Sequence, residues 1–385
     1  MEKFRLGLIG LGNMGTPVAQ MLTDGKCPEI RLAAICDSSE KRLEYARAEY
    51  PEMPLFLDAE EMMDSGLVDM IYIAVPHYDH TTLAMAAFRR GLHTMVEKPA
   101  GVSVKAVRQM NEASQAAGVK FGVMFQSRTI AAFRKAKELL DSGEFGQIRS
   151  VSWLVTNWYR SQAYYDSGSW RATWAGEGGG VLLNQCPHNL DLLQWLCGMP
   201  VEITAKCGVA QWHDIEVEDD VAAILRYENG ALGTFITSTG ISPGTNRLEI
   251  ATDKGTIIVE NSDKLIVYEL QHRMQPGQSD VTVPKVTRVE YTFPKETLMR
   301  HGLVFNAFAG AILRDEPMVA PGEEGICSLT LSNAMYLSAW TGETVQLPLD
   351  EELFHQELLK RAATSRHKEV ETVYSDATSM YQDRK

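Results

Sequence analysis

The 385-residue sequence lacks several features that would identify broad classes of protein. It has no run of about 18 apolar residues, which argues against a membrane-spanning helix. Its six cysteines include no C-x-x-C pair, so a structural zinc site is not expected. It has no basic cluster, and 37 Lys and Arg against 50 Asp and Glu give a net charge of −13. That charge disfavours binding to nucleic acid or to an acidic membrane.

The length of 385 residues fits two domains, and the composition is typical of a soluble globular protein. Hydrophobic residues make up 45% of the chain and charged residues 23%. The first residues run directly into a short apolar segment and do not resemble a secretion signal. The scattered cysteines are therefore expected to be reduced thiols in a cytoplasmic protein.

Short apolar segments alternate with helical patterns over residues 1–126. The apolar segments span 4–9, 31–36, 69–75, 93–96 and 120–125, and the helical patterns span 16–22, 40–50, 81–90 and 104–117. This alternation predicts an α/β domain with a parallel sheet and helices on both faces.

Strand patterns dominate after residue 126. They span 148–156, 203–209, 220–227, 231–238, 247–252, 255–260 and 265–270, with helical patterns at 130–142, 184–197, 303–314 and 328–341. Hairpin signals join several of them. We therefore predict an α+β domain with a large open, mainly antiparallel sheet over 127–350, followed by a C-terminal helix and polar tail over 351–385.

A glycine-rich turn follows the first apolar segment and opens a helix, which is the context that a dinucleotide-binding motif requires. Gly10 permits the tight turn, Gly12 lets backbone amides approach a pyrophosphate, and Gly15 lets the helix pack close to the strand. The helix N-terminus adds unpaired N–H groups and a positive dipole end. The expected cofactor contacts in this turn are Gly10, Leu11, Gly12, Asn13 and Met14.

Asp37 lies at the end of the second apolar segment, 22 positions after Gly15. A carboxylate there accepts hydrogen bonds from ribose hydroxyls and repels a 2′-phosphate, so NAD is favoured over NADP. Lys41 and Arg42 follow closely and leave NADP open. Asp37 can also serve as a helix cap.

Four segments carry a resemblance to a known family: the turn from Gly10 to Gly15, Ala74-Val75-Pro76, Glu97-Lys98-Pro99, and His188-Asn189-Leu190-Asp191. The chain resembles the glucose-fructose oxidoreductase / inositol dehydrogenase (Gfo/Idh/MocA) family. The resemblance implies a Rossmann domain, then an α+β domain whose open sheet commonly mediates dimers or tetramers. It also implies hydride transfer between nicotinamide and a carbon of a sugar, cyclitol or related polyol.

The resemblance also implies positions for site residues. It places Lys98 beside the substrate hydroxyl, with Asn184 and His188 on the opposite lip, and it places Gln126 and Arg128 near the nicotinamide. Further residues are implied to lie along the cofactor: Ala74, Val75, Pro76, His80 and Glu97.

The chemistry of alcohol oxidation fits the residues at these positions. Histidine can take a proton near neutral pH, and lysine supplies a compact positive charge for a developing alkoxide. A helix starting near Leu183 would put Asn184 and His188 on one face, with Asp191 orienting the imidazole. The glycines at 178–180 are expected to allow close approach of backbone to a ligand. A core or capping role for His188 stays open.

Asn184 departs from the family, in which many members carry Asp at this position. An asparagine cannot accept a proton or hold a negative charge. We therefore expect His188, with Lys98, to perform the acid–base chemistry.

Residues 153–174 hold seven aromatic side chains and two arginines. Aromatic faces stack on the C–H faces of sugars, and arginine or tyrosine tips bind hydroxyl groups. A core or a subunit interface would explain the same pattern. The candidate substrate contacts are Arg128, Trp158, Tyr159, Arg160, Trp170, Arg171, Asn184 and His188.

The sequence thus predicts a cytoplasmic NAD(H)-dependent oxidoreductase acting on a carbohydrate or polyol, assembled as a homodimer or homotetramer. No metal is expected, because His77 and His80 have no apparent third ligand. Two alternatives stay open. One is redox-neutral chemistry, in which bound NAD makes a transient 3-keto sugar for glycoside cleavage or epimerisation. The other is a non-catalytic, NAD-binding, sugar-responsive regulator.

Overall fold

The structure is a computed structural model that describes residues 3–274, 284–294, 299–366 and 368. Its strands are β1 (Phe4–Ile9), β2 (Ile30–Cys36), β3 (Leu55–Phe56), β4 (Met70–Ile73), β5 (His93–Val96), β6 (Phe121–Val123), β7 (Ile148–Val155), β8 (Glu202–Val209), β9 (Glu218–Arg226), β10 (Leu232–Ser238), β11 (Asn246–Thr252), β12 (Gly255–Glu260), β13 (Lys264–Leu270), β14 (Val286–Tyr291) and β15 (Val345–Gln346). Its α-helices are α1 (Gly15–Thr23), α2 (Glu40–Glu49), α3 (Ala59–Asp64), α4 (Asp79–Arg89), α5 (Val104–Ala117), α6 (Ala131–Asp141), α7 (Gln162–Tyr165), α8 (Pro187–Cys197), α9 (Arg300–Arg314), α10 (Gly325–Thr341) and α11 (Glu351–Ala362).

The first sheet is six-stranded and parallel, in the order β3-β2-β1-β4-β5-β6. This confirms the predicted α/β Rossmann domain. The order reverses direction at β1, which pairs with both β2 and β4. Such a switch point leaves a crevice at the carboxyl ends of the strands, where ligands bind in open α/β sheets.

One face of this sheet is covered by a helix from the far end of the chain. In α9, Val304, Phe305 and Phe308 belong to the same buried cluster as Leu8 and residues of α1. The Phe305 ring meets the ring of Tyr72 edge-on at 5.1 Å. The amphipathic pattern of this segment predicted a helix but not the sheet against which it packs.

The second sheet has nine strands in the order β14-β13-β12-β11-β7-β10-β9-β8-β15. All neighbours are antiparallel except β7 and β10, which confirms the predicted large, mainly antiparallel sheet. Its inner face carries buried side chains such as Trp153 and Phe235, which contribute to the main core. Its outer face exposes apolar side chains on β7, β9 and β10, namely Leu154, Ile224, Leu232 and Ile236.

Several predicted boundaries differ from the structure. The helix expected from residue 184 begins at Pro187, so Asn184 lies in the preceding turn. Strands β3, β14 and β15 and helices α3 and α7 were not predicted. The boundaries at 126/127 and 350/351 stay predictions. Most of the predicted polar tail lies outside the described residues, and no described helix has the length and apolar character needed to cross a bilayer.

Candidate active site

The glycine turn between β1 and α1 packs tightly on one side and is open on the other. Gly10 has a φ of +93°, and a Cβ there would lie 2.4 Å from the Ala74 carbonyl oxygen. A Cβ on Gly15 would lie 1.8 Å from the Gly10 oxygen, whereas one on Gly12 would meet nothing within 4 Å. Packing thus requires glycine at positions 10 and 15. Gly12 instead leaves open space above the N-terminus of α1.

Asp37, at the end of β2, is held against this turn. One carboxylate oxygen accepts from the Leu11 amide at 2.7 Å and the other from the Ser39 amide at 2.9 Å. Arg42 donates to the Leu11 carbonyl at 2.7 Å and to the Thr16 hydroxyl at 2.8 Å. The carboxylate therefore joins the glycine turn to the start of α2, while Arg42 braces the same turn.

Two buried polar atoms suit this crevice to a dinucleotide. Asn13 Oδ1, in the glycine turn, and Gln126 Oε1, just after β6, are buried without a hydrogen-bond partner among the described residues. Buried acceptors without partners are costly, so a ligand that brings donors would satisfy them. Together with the open space at Gly12, they fit a bound NAD.

The carboxyl ends of β4 and β5 form the floor of the crevice. Ala74, Val75 and Pro76 follow β4 and are half-buried. The ring nitrogens of the fully buried His80 lie 2.8 Å from the Pro99 oxygen and 2.9 Å from the Val75 oxygen. His80 thus ties the ends of the two strands together.

Glu97 is a buried carboxylate beneath Lys98. The Tyr72 hydroxyl donates to it, the Lys98 amide donates to its second oxygen at 3.1 Å, and His301 Nε2 lies 3.4 Å away. Burial acts to raise its pKa, but His301, Lys98 and Tyr72 outweigh burial and hold the pKa of Glu97 at about 2. A fixed negative charge therefore lies next to Lys98.

The Lys98 side chain joins the two halves of the site. Its Nζ donates to the main-chain oxygen of Asn184 at 3.0 Å. Burial lowers the pKa of Lys98, while the charges of Glu97 and Glu177 act to raise it. An amine in such surroundings can both take up and release a proton.

His188 lies at the second position of α8, on the other side of the cleft. Its ring meets the Phe125 ring edge-on at 6.1 Å, and its Nδ1 is buried without a partner among the residues that the structure covers. Burial, followed by the positive charge of Lys98, lowers the pKa of His188 to about 3. The imidazole is therefore neutral at physiological pH.

Asp191, which was expected to contact His188, instead pairs with Arg128. Asp191 accepts two hydrogen bonds from Arg128, at 2.6 and 2.8 Å, and both side chains are buried. Arg128 also pairs with Glu324 at 2.5 Å. The prediction that Asp191 orients the imidazole is thus wrong. The guanidinium of Arg128, expected to contact substrate, instead braces α8 against the residues before α10.

The glycines at 178–180 serve packing within the protein and not approach to a ligand, which corrects the prediction. A Cβ on Gly178 would lie 2.2 Å from the Val102 side chain, and one on Gly180 would lie 2.0 Å from the Glu218 carbonyl oxygen. Glu218 itself accepts from the Gly180 and Leu182 amides at 3.0 and 2.9 Å. This buried carboxyl therefore fixes the turn that leads to Asn184.

The aromatic segment, residues 153–174, contributes some side chains to the core and others to the cleft. Trp153, Tyr165 and Trp174 are buried in the core, as the alternative interpretation expected. Tyr164 lies under both arginines, with Arg160 and Arg171 at 4.9 and 4.6 Å from its ring centroid. Its hydroxyl accepts from Arg171 at 2.9 Å and donates to Asn184 Oδ1 at 3.4 Å. The segment thus continues directly into the candidate catalytic residues.

The other aromatic residues that were predicted to contact substrate lie around Tyr164 and its two arginines. Trp158 donates from its indole to Asn189 Oδ1 at 3.2 Å, and the Trp170 ring lies 5.8 Å from that of His77. Tyr159 is 52% exposed and faces solvent. The described residues contain no group of three or more His, Cys, Asp and Glu side chains that could hold a metal ion.

Sequence reasoning missed three residues of the site. Glu177 accepts a hydrogen bond from the Asn184 side chain, His301 contacts Glu97, and Tyr164 was counted only as one of seven aromatics. Glu177 directly precedes the three glycines, but nothing in its spacing indicated a buried carboxylate. His301 reaches the site only through α9 and has no local signal.

Two family models match the chain. Residues 4–125 match an oxidoreductase family with an NAD-binding Rossmann fold, and residues 133–258 match the GFO/IDH/MocA C-terminal domain. The chain belongs to the GFO/IDH/MocA family. It is therefore an NAD-dependent oxidoreductase, whose residues 4–125 form the NAD-binding Rossmann domain.

Several members of the family are similar to this chain. A myo-inositol 2-dehydrogenase from Thermotoga maritima is 25% identical over 348 residues, which cover 89% of this chain and 98% of that protein. A 1-carboxy-3-chloro-3,4-dihydroxycyclohexa-1,5-diene dehydrogenase from Comamonas testosteroni is 30% identical, but the match spans only 59% of this chain and 55% of that protein. The WlbA dehydrogenase from Bordetella pertussis, solved with NADH and UDP-GlcNAcA, superposes with a TM-score of 0.76 at 28% identity. That match covers 91% of this chain and all of the other.

Proposed function

We propose that the protein transfers a hydride between NAD and a secondary alcohol carbon of a sugar, glycoside or cyclitol. The observation that carries this proposal is the contact of Lys98, after β5, with the main-chain oxygen of Asn184. His188 lies near enough for the Lys98 charge to lower its pKa. The names of the relatives support the substrate class, since they act on a cyclitol or were solved with a nucleotide sugar.

In the proposed oxidation, the bound NAD supplies the hydride acceptor, and the protein must remove the hydroxyl proton. Neutral Lys98 takes that proton and becomes an ammonium ion. Burial lowers the pKa of Lys98, so more of the amine is neutral than in a solvated lysine. The charged Glu97 beneath it stabilises the ammonium once formed. In the reverse direction, the same ammonium protonates the developing alkoxide.

His188 is assigned a hydrogen-bonding role beside Lys98. With a pKa of about 3 it cannot hold a proton at neutral pH, so it acts as a neutral hydrogen-bonding group on the reacting hydroxyl. It assists the acid–base step by orienting that hydroxyl toward Lys98. Asn184 contributes a neutral amide at the same wall of the cleft.

The aromatic segment is proposed to bind the rest of the substrate. Trp158, Tyr159 and Trp170 offer flat faces for C–H groups, while Arg160 and Arg171 offer donors for hydroxyl groups. Arg160 Nε is buried without a partner among the described atoms, so a substrate oxygen would satisfy it. An extended wall of this kind suits a glycoside or a large polyol.

The outer face of the nine-stranded sheet is proposed to pair with a second copy of the chain. Leu154 and Ile236 are directly paired across β7 and β10, and Ile224 lies on the adjacent β9. All three side chains are exposed in the single chain. Burying such a row in a self-complementary contact removes apolar area from water. A cytoplasmic location is likewise proposed, since all six cysteines are free thiols.

A screen of NAD reduction tests the function. Bound cofactor is measured first, and purified protein is then assayed with polyols, sugars and glycosides. We expect Lys98→Ala to lower kcat by about 100-fold or more, the usual contribution of a proton-transfer group. Lys105→Ala, which changes an exposed lysine paired with Glu352, is the control and should keep full activity.

The outcomes separate the alternatives. Cofactor that copurifies, with substrate turnover but no net NADH, would indicate the redox-neutral chemistry. NAD binding with no turnover on any compound would indicate the regulator and contradict the proposal. Full turnover by Lys98→Ala would remove Lys98 from the mechanism.

A further inference from the structure

Glu177 is a buried carboxyl in the wall of the active site, only 2% exposed. One carboxylate oxygen accepts from the Ala172 amide at 2.5 Å, and the other accepts from the Asn184 side-chain amide. Its main-chain oxygen lies 3.0 Å from His77 Nδ1. Both carboxylate oxygens thus face N–H donors that cannot accept, an arrangement that suits the ionised form.

The hydrogen bond to Glu177 fixes which way the Asn184 amide points. Because the carboxylate can only accept, the amide nitrogen must face it, and Oδ1 must face the other way. Oδ1 there accepts from Tyr164 at 3.4 Å, and the Asn184 main-chain oxygen accepts from Lys98 at 3.0 Å. A single asparagine therefore links Glu177 to both the aromatic segment and the candidate proton carrier.

The charges around Lys98 are unevenly distributed. Two carboxyl groups, Glu97 and Glu177, act to keep it protonated, while Arg160 and Arg171 act to deprotonate it. The positive charge of Lys98 also acts to lower the pKa of three histidines: His77, His80 and His188. Burial raises the pKa of Glu177 itself, and Arg171, the Ala172 and Asn184 hydrogen bonds and Lys98 oppose that rise. Removing Glu177 would leave Glu97 alone against the two arginines.

We propose that Glu177 is a positioning residue that supplies the negative charge that Asn184 lacks, orients the Asn184 amide and balances the ammonium charge of Lys98. The inference rests on the proposed acid–base role of Lys98. The carboxylate and the amide together provide what one aspartate at position 184 would provide alone. Charge and hydrogen-bonding groups are thus divided between two neighbouring side chains.

The test measures the ionisation of Lys98 without requiring a substrate. Purified full-length protein of matched NAD content is trace-labelled with acetic anhydride across a range of pH, and the labelling of each lysine is read by peptide mass spectrometry. In Glu177→Gln, the midpoint for Lys98 is expected to fall by about half to one pH unit, a three- to tenfold change in the neutral fraction. Lys105 in the same molecules is the internal control and should not shift.

A charge swap provides the rescue. The double variant Glu177→Gln/Asn184→Asp keeps a hydrogen bond between the two side chains and returns the negative charge, so the Lys98 midpoint should return toward that of the natural protein. Glu228→Gln, in an exposed hairpin turn, controls for loss of a carboxylate elsewhere.

The outcomes are distinct from those of the function test. An unchanged Lys98 midpoint in Glu177→Gln, or one that stays low in the double variant, would overturn this inference whatever the turnover. If Glu177→Gln fails to fold, the double variant decides, since a midpoint near that of the natural protein supports the charge-sharing role. Failure of the proposed function would instead be seen as NAD binding with no turnover on any compound, and failure of the acid–base role of Lys98 as full turnover by Lys98→Ala.

Discussion

Lys98 and His188 are placed in surroundings that disfavour their charged forms to different degrees. Burial lowers the pKa of both, but Glu97 and Glu177 offset this effect at Lys98, whereas the Lys98 charge adds to it at His188. A proton carrier works best when its pKa lies near the working pH. The lysine is therefore the better proton carrier, and the histidine is left with a hydrogen-bonding role.

Substitutions at residues 188 and 184 should separate these roles. We expect His188→Ala to lower kcat about as strongly as Lys98→Ala, by about 100-fold, because the reacting hydroxyl loses the partner that orients it toward Lys98. Asn184→Ala should weaken turnover more mildly, since the Asn184 oxygen that receives Lys98 belongs to the main chain. Steady-state kcat and KM with the best compound of the screen provide the measurement.

His272→Ala, at an exposed histidine, serves as the control for these variants. Purified His188→Ala with undiminished kcat would contradict the assignment. So would an Asn184→Ala defect as deep as that of His188→Ala.

At the scale of single residues, the sequence predicted a site at Lys98, Asn184 and His188 through the family resemblance, but it did not predict the neighbouring groups that contact them. Glu177 and His301 act through contacts that only the tertiary fold creates. Asp191 shows the opposite error. Its spacing from His188 suited a contact, but a buried arginine from another segment captured the carboxylate.

Among the elements, the glycine turn and the start of α1 form the proposed binding site for the NAD phosphates. Gly12 has free space where a Cβ would go, whereas Gly15 has none. Gly15 is therefore required by packing, whereas Gly12 is not, and we propose that Gly12 serves cofactor binding.

A matched pair of variants tests this difference. Gly12→Ala should unfold at the same urea concentration as the natural protein but bind NAD at least tenfold more weakly, because the methyl group enters the space left for the phosphates. Gly15→Ala should lose about 2 kcal/mol or more of unfolding free energy, because its Cβ has no room beside Gly10. Calorimetric NAD titration and urea unfolding are the measurements, and unchanged NAD affinity in Gly12→Ala would refute the assignment.

Element boundaries were predictable where periodicity and end signals agreed. Strands β1 and β5 and helix α5 match the predicted residues. The start of α8 does not, because Pro187 takes the first helical position and the turn before it is held by Glu218. A pattern of apolar spacing contains no information about that distant carboxyl.

At the scale of the whole molecule, the outer face of β7, β9 and β10 exposes the apolar side chains of Leu154, Ile224 and Ile236 in the single chain. If a second copy covers it, a charge placed at its centre should separate the copies. We expect Ile224→Glu to shift the protein from dimer or tetramer to monomer in sedimentation velocity, with NAD binding retained. Leu57→Glu, at a similarly exposed leucine outside this sheet, should leave assembly unchanged. An assembled Ile224→Glu protein would contradict the proposed interface.

The two-sheet architecture followed from the sequence, since one half alternates strands with helices and the other is dominated by strands. The docking of α9 on the first sheet did not follow. An amphipathic pattern shows that a helix buries one face but not which partner it meets.

That docking has a consequence for how the chain is made. The ribosome releases the glycine turn and all six strands of the first sheet long before it reaches α9, whose Phe305 and Phe308 complete the sheet's apolar cluster. Until residue 314 has emerged from the ribosome, one apolar face of the first sheet stays exposed to solvent. The packing of this sheet is thus delayed until α9 has been synthesised, and until then its uncovered face can be bound by chaperones.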